Sequence, residues 1–211
     1  MDAYGAFDDA LKFLGGDNEG WAVGGALFVT GILASSVATD VESLGTYFTN
    51  WSLLVQLAAF ISFIRRGDRH VWLQELATVL VWTVAISFSI VTAASNRLRD
   101  DLYALYGPVG FWVGNIVIHY LPLLFNYAAF YHTSRGKEDS SGKRTSTTLG
   151  GALAVCLGAV GLLVTYSFTH STQKVYHNDL DEFNGSFWMG ILAIILIFLV
   201  TRGREIADAS L

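Results

Sequence analysis

The chain has 211 residues, 53% hydrophobic and 15% charged, with a formal net charge of −5. Its charges cluster between long uncharged runs, which leaves little room for a soluble domain and marks a polytopic membrane protein, because a spanning helix needs about 20 largely apolar residues. The acidic balance and the lack of a basic stripe give no reason to expect nucleic-acid binding, and the single cysteine, Cys156, excludes an internal disulfide framework.

In chain order, residues 1–19 hold Asp2, Asp8, Asp9, Asp17 and Glu19 against Lys12, with no basic start or cleavage site of the secretory kind, so insertion is expected through the first span. A short amphipathic stretch from Phe7 to Leu14 is expected on the membrane surface. The first span covers residues 21–39, where Gly24, Gly25, Ala26, Gly31, Ala34, Ser35 and Ser36 permit close helix packing. The second covers 47–64 and stops at Arg65 and Arg66. The third covers 71–94 and ends in the mixed charges of 96–101, which read as a solvated loop. The fourth covers 107–132, and Pro122 is expected to kink it by removing a backbone hydrogen bond. A polar loop precedes the fifth span, 149–169, and the segment 170–186 separates that from the sixth, 187–200.

The expected fold is therefore all-α: one domain over residues 1–211, a polytopic bundle of six transmembrane helices. Lys12, Arg65, Arg66, Arg69, Arg135, Lys137, Lys143, Arg144, Arg202 and Arg204 then fall on the side of the termini, against Arg97, Arg99 and Lys174 on the other. That asymmetry puts both termini in the cytoplasm. The starts of the second and fourth helices share the outer or lumenal side with the 170–186 loop.

Two spans carry polar faces. At about 100° per residue, Thr49, Ser52 and Gln56 fall within roughly a 60° arc of the second helix, and Asn115, His119, Pro122 and Asn126 within a similar arc of the fourth. His119 reads as the only ionisable group well inside a span, and such groups are costly to bury and usually functional. A hydroxyl and an imidazole in one bundle suggest a nucleophile and its base. Taken singly, the threonine, glutamine and asparagine are equally compatible with ordinary interhelical hydrogen bonding.

The joint pattern resembles the androgen-induced-gene-1/FAR-17a-like family of multipass membrane proteins. Tyr47-Phe48-Thr49 and Gln56 match its second-helix motif, with Ser52 in place of an asparagine. Asn115, His119 and Pro122 match its fourth-helix motif, with Ile116 where the family often has a further histidine. The aromatic, histidine-containing stretch from Tyr166 to Tyr176 is also similar. The resemblance implies a threonine hydrolase of fatty acid esters of hydroxy fatty acids, with Thr49 as nucleophile and His119 as the essential histidine.

Under that expectation neutral His119 takes the Thr49 proton, the alkoxide attacks the ester carbonyl, and water releases the acid from the acyl-enzyme. Ser52 and Gln56 are candidates for holding the oxyanion. His170, Asp179, Asp181 or a backbone carbonyl are candidates for orienting the imidazole, and Asn115, His170 and Tyr176 for supporting the site. The substrate is a lipid ester entering from the bilayer, in the endoplasmic reticulum or plasma membrane, with no cofactor. No lysine lies inside a span to carry retinal, and the histidines lack metal-ligand spacing. The other class left open is non-catalytic: a channel, transporter or scaffold whose polar cluster lines a path or knits helices, although no internal repeat supports a transporter.

Overall fold

One helix, α3 (Val71–Ala94), touches nearly everything else in the bundle. The computed structural model of the chain describes residues 18–39, 47–66, 70–94, 96–134, 149–169 and 185–209, and every long element among them is helical. The others are α1 (Asn18–Thr39), α2 (Phe48–Arg66), α4 (Asn96–Asn115), a π-helical turn (Ile116–Tyr120), α5 (Leu121–Ser134), α6 (Leu149–Thr169) and α7 (Gly185–Ala209). Five stretches are long and apolar enough to cross a membrane: Asn18–Ala38, Phe48–Arg66, Val71–Ile90, Arg99–Phe130 and Leu149–Ser167. In α7 the apolar part, Gly190–Arg202, is shorter. The protein is a multipass integral membrane protein of all-helical architecture.

The helices α2 and α3 form the middle of the bundle, and each flank has its own apolar core. On one side Ala22 and Val29 of α1, Leu53 and Phe60 of α2, Ala77 of α3 and Phe130 of α5 pack together. On the other, Phe48 of α2, Leu80 of α3, Val155 and Leu163 of α6 and Ile194 of α7 do so. Small residues set the closest approaches, as expected for helices that associate in lipid by packing alone. A Cβ on Gly25 would lie 2.6 Å from the Phe60 ring and 3.1 Å from Phe125, and one on Gly190 would lie 2.6 Å from Leu163. Around Gly24 and Gly25 the Phe125 ring meets Trp21 at 5.7 Å and Phe28 at 5.3 Å.

The stretch 96–101, expected as a loop, is instead the start of α4. The Asn96 side chain accepts from Arg99 in its first turn. α4 breaks at Gly107, whose φ of 69° suits glycine and precedes Pro108, which disfavours helical backbone at the residue before it and then starts the next helical run. Tyr103 packs edge-on against Phe111 at 5.1 Å across this break.

The kink expected at Pro122 takes a specific form. A π-turn ends just before it, with Leu121 N–H donating to the Ile116 carbonyl five residues back. Pro122 has no N–H for the Ile118 carbonyl and its ring crowds that group, so a widened turn relieves the clash. From Pro108 to Ser134 the chain is thus one rod with an inserted turn, and that turn carries His119.

Candidate functional site

Local packing settles which way α2 faces. The Tyr47 carbonyl accepts from Asn50 N–H at 2.9 Å and Trp51 N–H at 3.4 Å, closing the first turn. Phe48 and Trp51 then lay their rings on Tyr166 of α6, at 5.3 Å and 5.7 Å. The face bearing Thr49, Ser52 and Gln56 turns toward the α4–α5 rod. Gln56 is fully buried, and its Nε2 donates to the Pro122 carbonyl at 2.6 Å. The two polar faces read from the sequence therefore meet. Backbone approach between α2 and the rod is sparse, so side chains span the gap.

The register follows from the contacts. Gln56 pairs with Pro122, and Phe60 and Phe63 pack on Phe130 at 5.2 Å and 5.7 Å, so α2 and the rod run parallel. Thr49 lies two turns before Gln56, and Asn115 lies seven residues before Pro122, each step being about 10 Å along the axis. Thr49 is consequently level with Asn115, and His119 lies about one turn deeper, near the level of Ser52. Thr49 is half-buried, whereas Ser52 is 2% exposed, Asn115 7% and His119 9%.

α3 holds the π-turn from the other side with two successive residues. Phe88 stacks on the His119 ring at 4.1 Å and 20°, and Ser89 Oγ bonds the Tyr120 hydroxyl at 2.5 Å. Lower down, Thr78 Oγ1 bonds Asn126 Oδ1 at 2.8 Å, so α3 runs antiparallel to the rod. The imidazole is fixed by stacking rather than by a polar partner: among the described residues it makes no hydrogen bond, and its buried Nδ1 is unsatisfied. The Asn115 amide nitrogen is also buried without an acceptor among the described residues, as are Trp21 Nε1, the hydroxyl of Ser87 and Asn126 Nδ2. No hydrogen bond among the described residues joins Thr49 to His119. His170, Tyr176, Asp179 and Asp181 lie outside the described residues.

Two earlier expectations change here. Gln56 does not offer a free donor to an oxyanion, because its amide nitrogen is taken by Pro122; only its Oε1 is left over. His119 is also not the sole ionisable group inside the bundle. Arg202 of α7 donates to Glu75 of α3 at 2.8 Å, with side chains only 8% and 11% exposed. Opposite charges embedded in two apolar segments were the available signal for this pair. No group of three or more histidine, cysteine, aspartate or glutamate side chains suited to a metal occurs among the described residues. Comparison with protein-family models, curated proteins and solved structures finds no match for this chain.

Proposed function

We propose that the protein is an intramembrane hydrolase of lipid esters, such as fatty acid esters of hydroxy fatty acids, with Thr49 as nucleophile and His119 as general base. This is the activity implied by its resemblance to the androgen-induced-gene-1/FAR-17a-like family. The observation that supports it is the buried pair of His119 and Asn115, without hydrogen bonds among the described residues, on a rod whose parallel neighbour carries Thr49 level with Asn115 and about one turn from the level of His119. Buried polar groups without partners call for an explanation. Among the described residues Trp21 Nε1, Gln56 Oε1, Gln74 Oε1, Ser87 Oγ and Asn126 Nδ2 share that state, and what singles out His119 and Asn115 is that they follow one another on the face opposite Thr49. A reacting ester that supplies the missing partners is one such explanation.

In this reading the Thr49 oxygen forms a bond to the ester carbonyl carbon while its proton passes to a His119 nitrogen. The carbonyl π electrons move to oxygen. Collapse breaks the ester C–O bond, and His119 returns the proton to the departing alkoxide. Water repeats the sequence on the acyl-threonine and frees the acid. The apolar walls admit acyl chains from the bilayer, so soluble polar esters are poor substrates. The topology that suits this has six spans, α7 included, with both termini cytoplasmic and the site near the outer or lumenal end, in the endoplasmic reticulum or plasma membrane.

A non-catalytic reading draws on the bonds from Gln56 to Pro122 and from Thr78 to Asn126, which knit helices irrespective of any chemistry. One experiment separates the two. A fluorophosphonate probe applied to the detergent-solubilised protein labels wild type and loses both Thr49→Ala and His119→Ala if the hydrolase reading holds. A well-folded wild type that neither labels nor cleaves a lipid ester leaves the scaffold reading.

A further inference from the structure

Hydrolysis through Thr49 builds negative charge on the former carbonyl oxygen, and a donor must wait for it in a site that excludes water. The donor has three requirements: it must be buried, it must not be committed to another acceptor, and it must sit at the depth of the nucleophile. Gln56 fails the second, since Nε2 is held by Pro122 at 2.6 Å, and the third, since it lies two turns deeper on its helix. Tyr120 fails the second because its hydroxyl is engaged with Ser89. The hydroxyl of Ser87 has no partner among the described residues but belongs to α3, on which the next residue, Phe88, already lies against His119, one turn below Thr49.

Asn115 meets all three. It is 7% exposed, its Nδ2 is buried with no acceptor among the described residues, and the register that joins Gln56 to Pro122 sets it level with Thr49. It also stands directly before the π-turn, so the widened backbone that carries His119 begins where Asn115 ends. The amide and the imidazole are thus presented from one buried stripe, Phe111, Asn115, His119, Pro122 and Asn126. On the reading that Thr49 is the nucleophile, we infer that the Asn115 side-chain N–H is the catalytic donor that holds the ester carbonyl oxygen as it becomes the oxyanion. Thr49 attacks the carbonyl carbon from α2, His119 takes the proton one turn deeper, and Asn115 receives the developing charge from across the gap.

The test uses the full-length protein in mixed micelles with a p-nitrophenyl fatty acid ester as substrate and a trifluoromethyl ketone of the same acyl chain as transition-state analogue. Asn115→Leu keeps the side-chain shape and removes the donor; Asn115→Ala is the second variant, and each is compared with wild type for thermal unfolding. The expected result is a fall in kcat of about 10²- to 10³-fold with KM changed little, and a loss of affinity for the ketone that parallels the loss in kcat. A folded Asn115→Leu with kcat within twofold of wild type overturns the inference while leaving Thr49 as nucleophile. A fall in kcat with undiminished ketone affinity overturns it too, because the amide would then act on packing and not on the oxyanion. If wild type itself neither cleaves the ester nor accepts the fluorophosphonate, the hydrolase reading falls first and this inference with it.

Discussion

Two polar sites lie along α3, about 20 Å apart by helix rise, and they are finished differently. Near its start, Glu75 meets Arg202 of α7, and a turn later Thr78 donates to the Asn126 Oδ1 of α5, so each of these groups has a partner although Asn126 Nδ2 and Gln74 Oε1 are left over. Toward its end, Phe88 meets only the flat face of His119, while the imidazole and the Asn115 amide have no polar partner among the described residues. A charge or amide buried for architecture needs a partner within the fold, because desolvation otherwise costs several kcal/mol. Groups that bind or react must keep their hydrogen-bonding capacity free. The difference separates a clamp between helices from a site.

Substitutions should divide along the same line. The largest effect on function is expected at the site: Thr49→Ala and His119→Ala each lower ester turnover by at least ~10³-fold, and combining them costs little more than either alone, since the two act as a unit. Steady-state kinetics on micellar substrate, alongside thermal unfolding that stays within a few degrees of wild type, checks this. Additive losses would break the comparison by denying that the pair works together.

At the clamp the pattern reverses. Arg202→Ala removes the ion-pair partner of the buried Glu75 and is expected to cost up to about 3–5 kcal/mol of stability, with turnover per folded molecule unchanged. Replacing both partners by apolar residues, Glu75→Leu with Arg202→Met, is expected to recover most of that loss. Denaturant or thermal unfolding in detergent measures both. A smaller effect follows at Gln56→Leu, which removes the bond to Pro122 and is expected to cost about 0.6 kcal/mol and at most about 1.7, the mean and the maximum found for hydrogen bonds between membrane helices. Last is Phe88→Leu: loss of the ring stack on His119 frees the imidazole to turn, read as a modest fall in kcat beside a fall of a few degrees in unfolding temperature. An equal fall in stability and no change in kcat would place Phe88 with the clamp.

Much of this arrangement is legible before any coordinates. The third and fifth spans coincide with α3 and α6, because hydropathy is a local property that each segment carries by itself. The polar stripes of the second and fourth helices were legible for a similar reason: a face is defined by angular spacing along one helix. The helical start of α4 was not, since its mixed charges resemble a loop until Tyr103 is seen packing back on Phe111.

What the sequence by itself determined is the membrane class, the helical segments and the two polar faces, all of which follow from composition and periodicity within single stretches. Only the tertiary structure decided which polar groups have partners. Gln56 is committed to a carbonyl 66 residues away, and Arg202 to a carboxylate 127 residues away. Such pairings depend on the register between helices, set by Gly25 against Phe60, by Gly190 against Leu163 and by the extra width of the π-turn before Pro122. No single segment encodes that register, so the distinction between a satisfied amide and a waiting one appears only when the helices are packed.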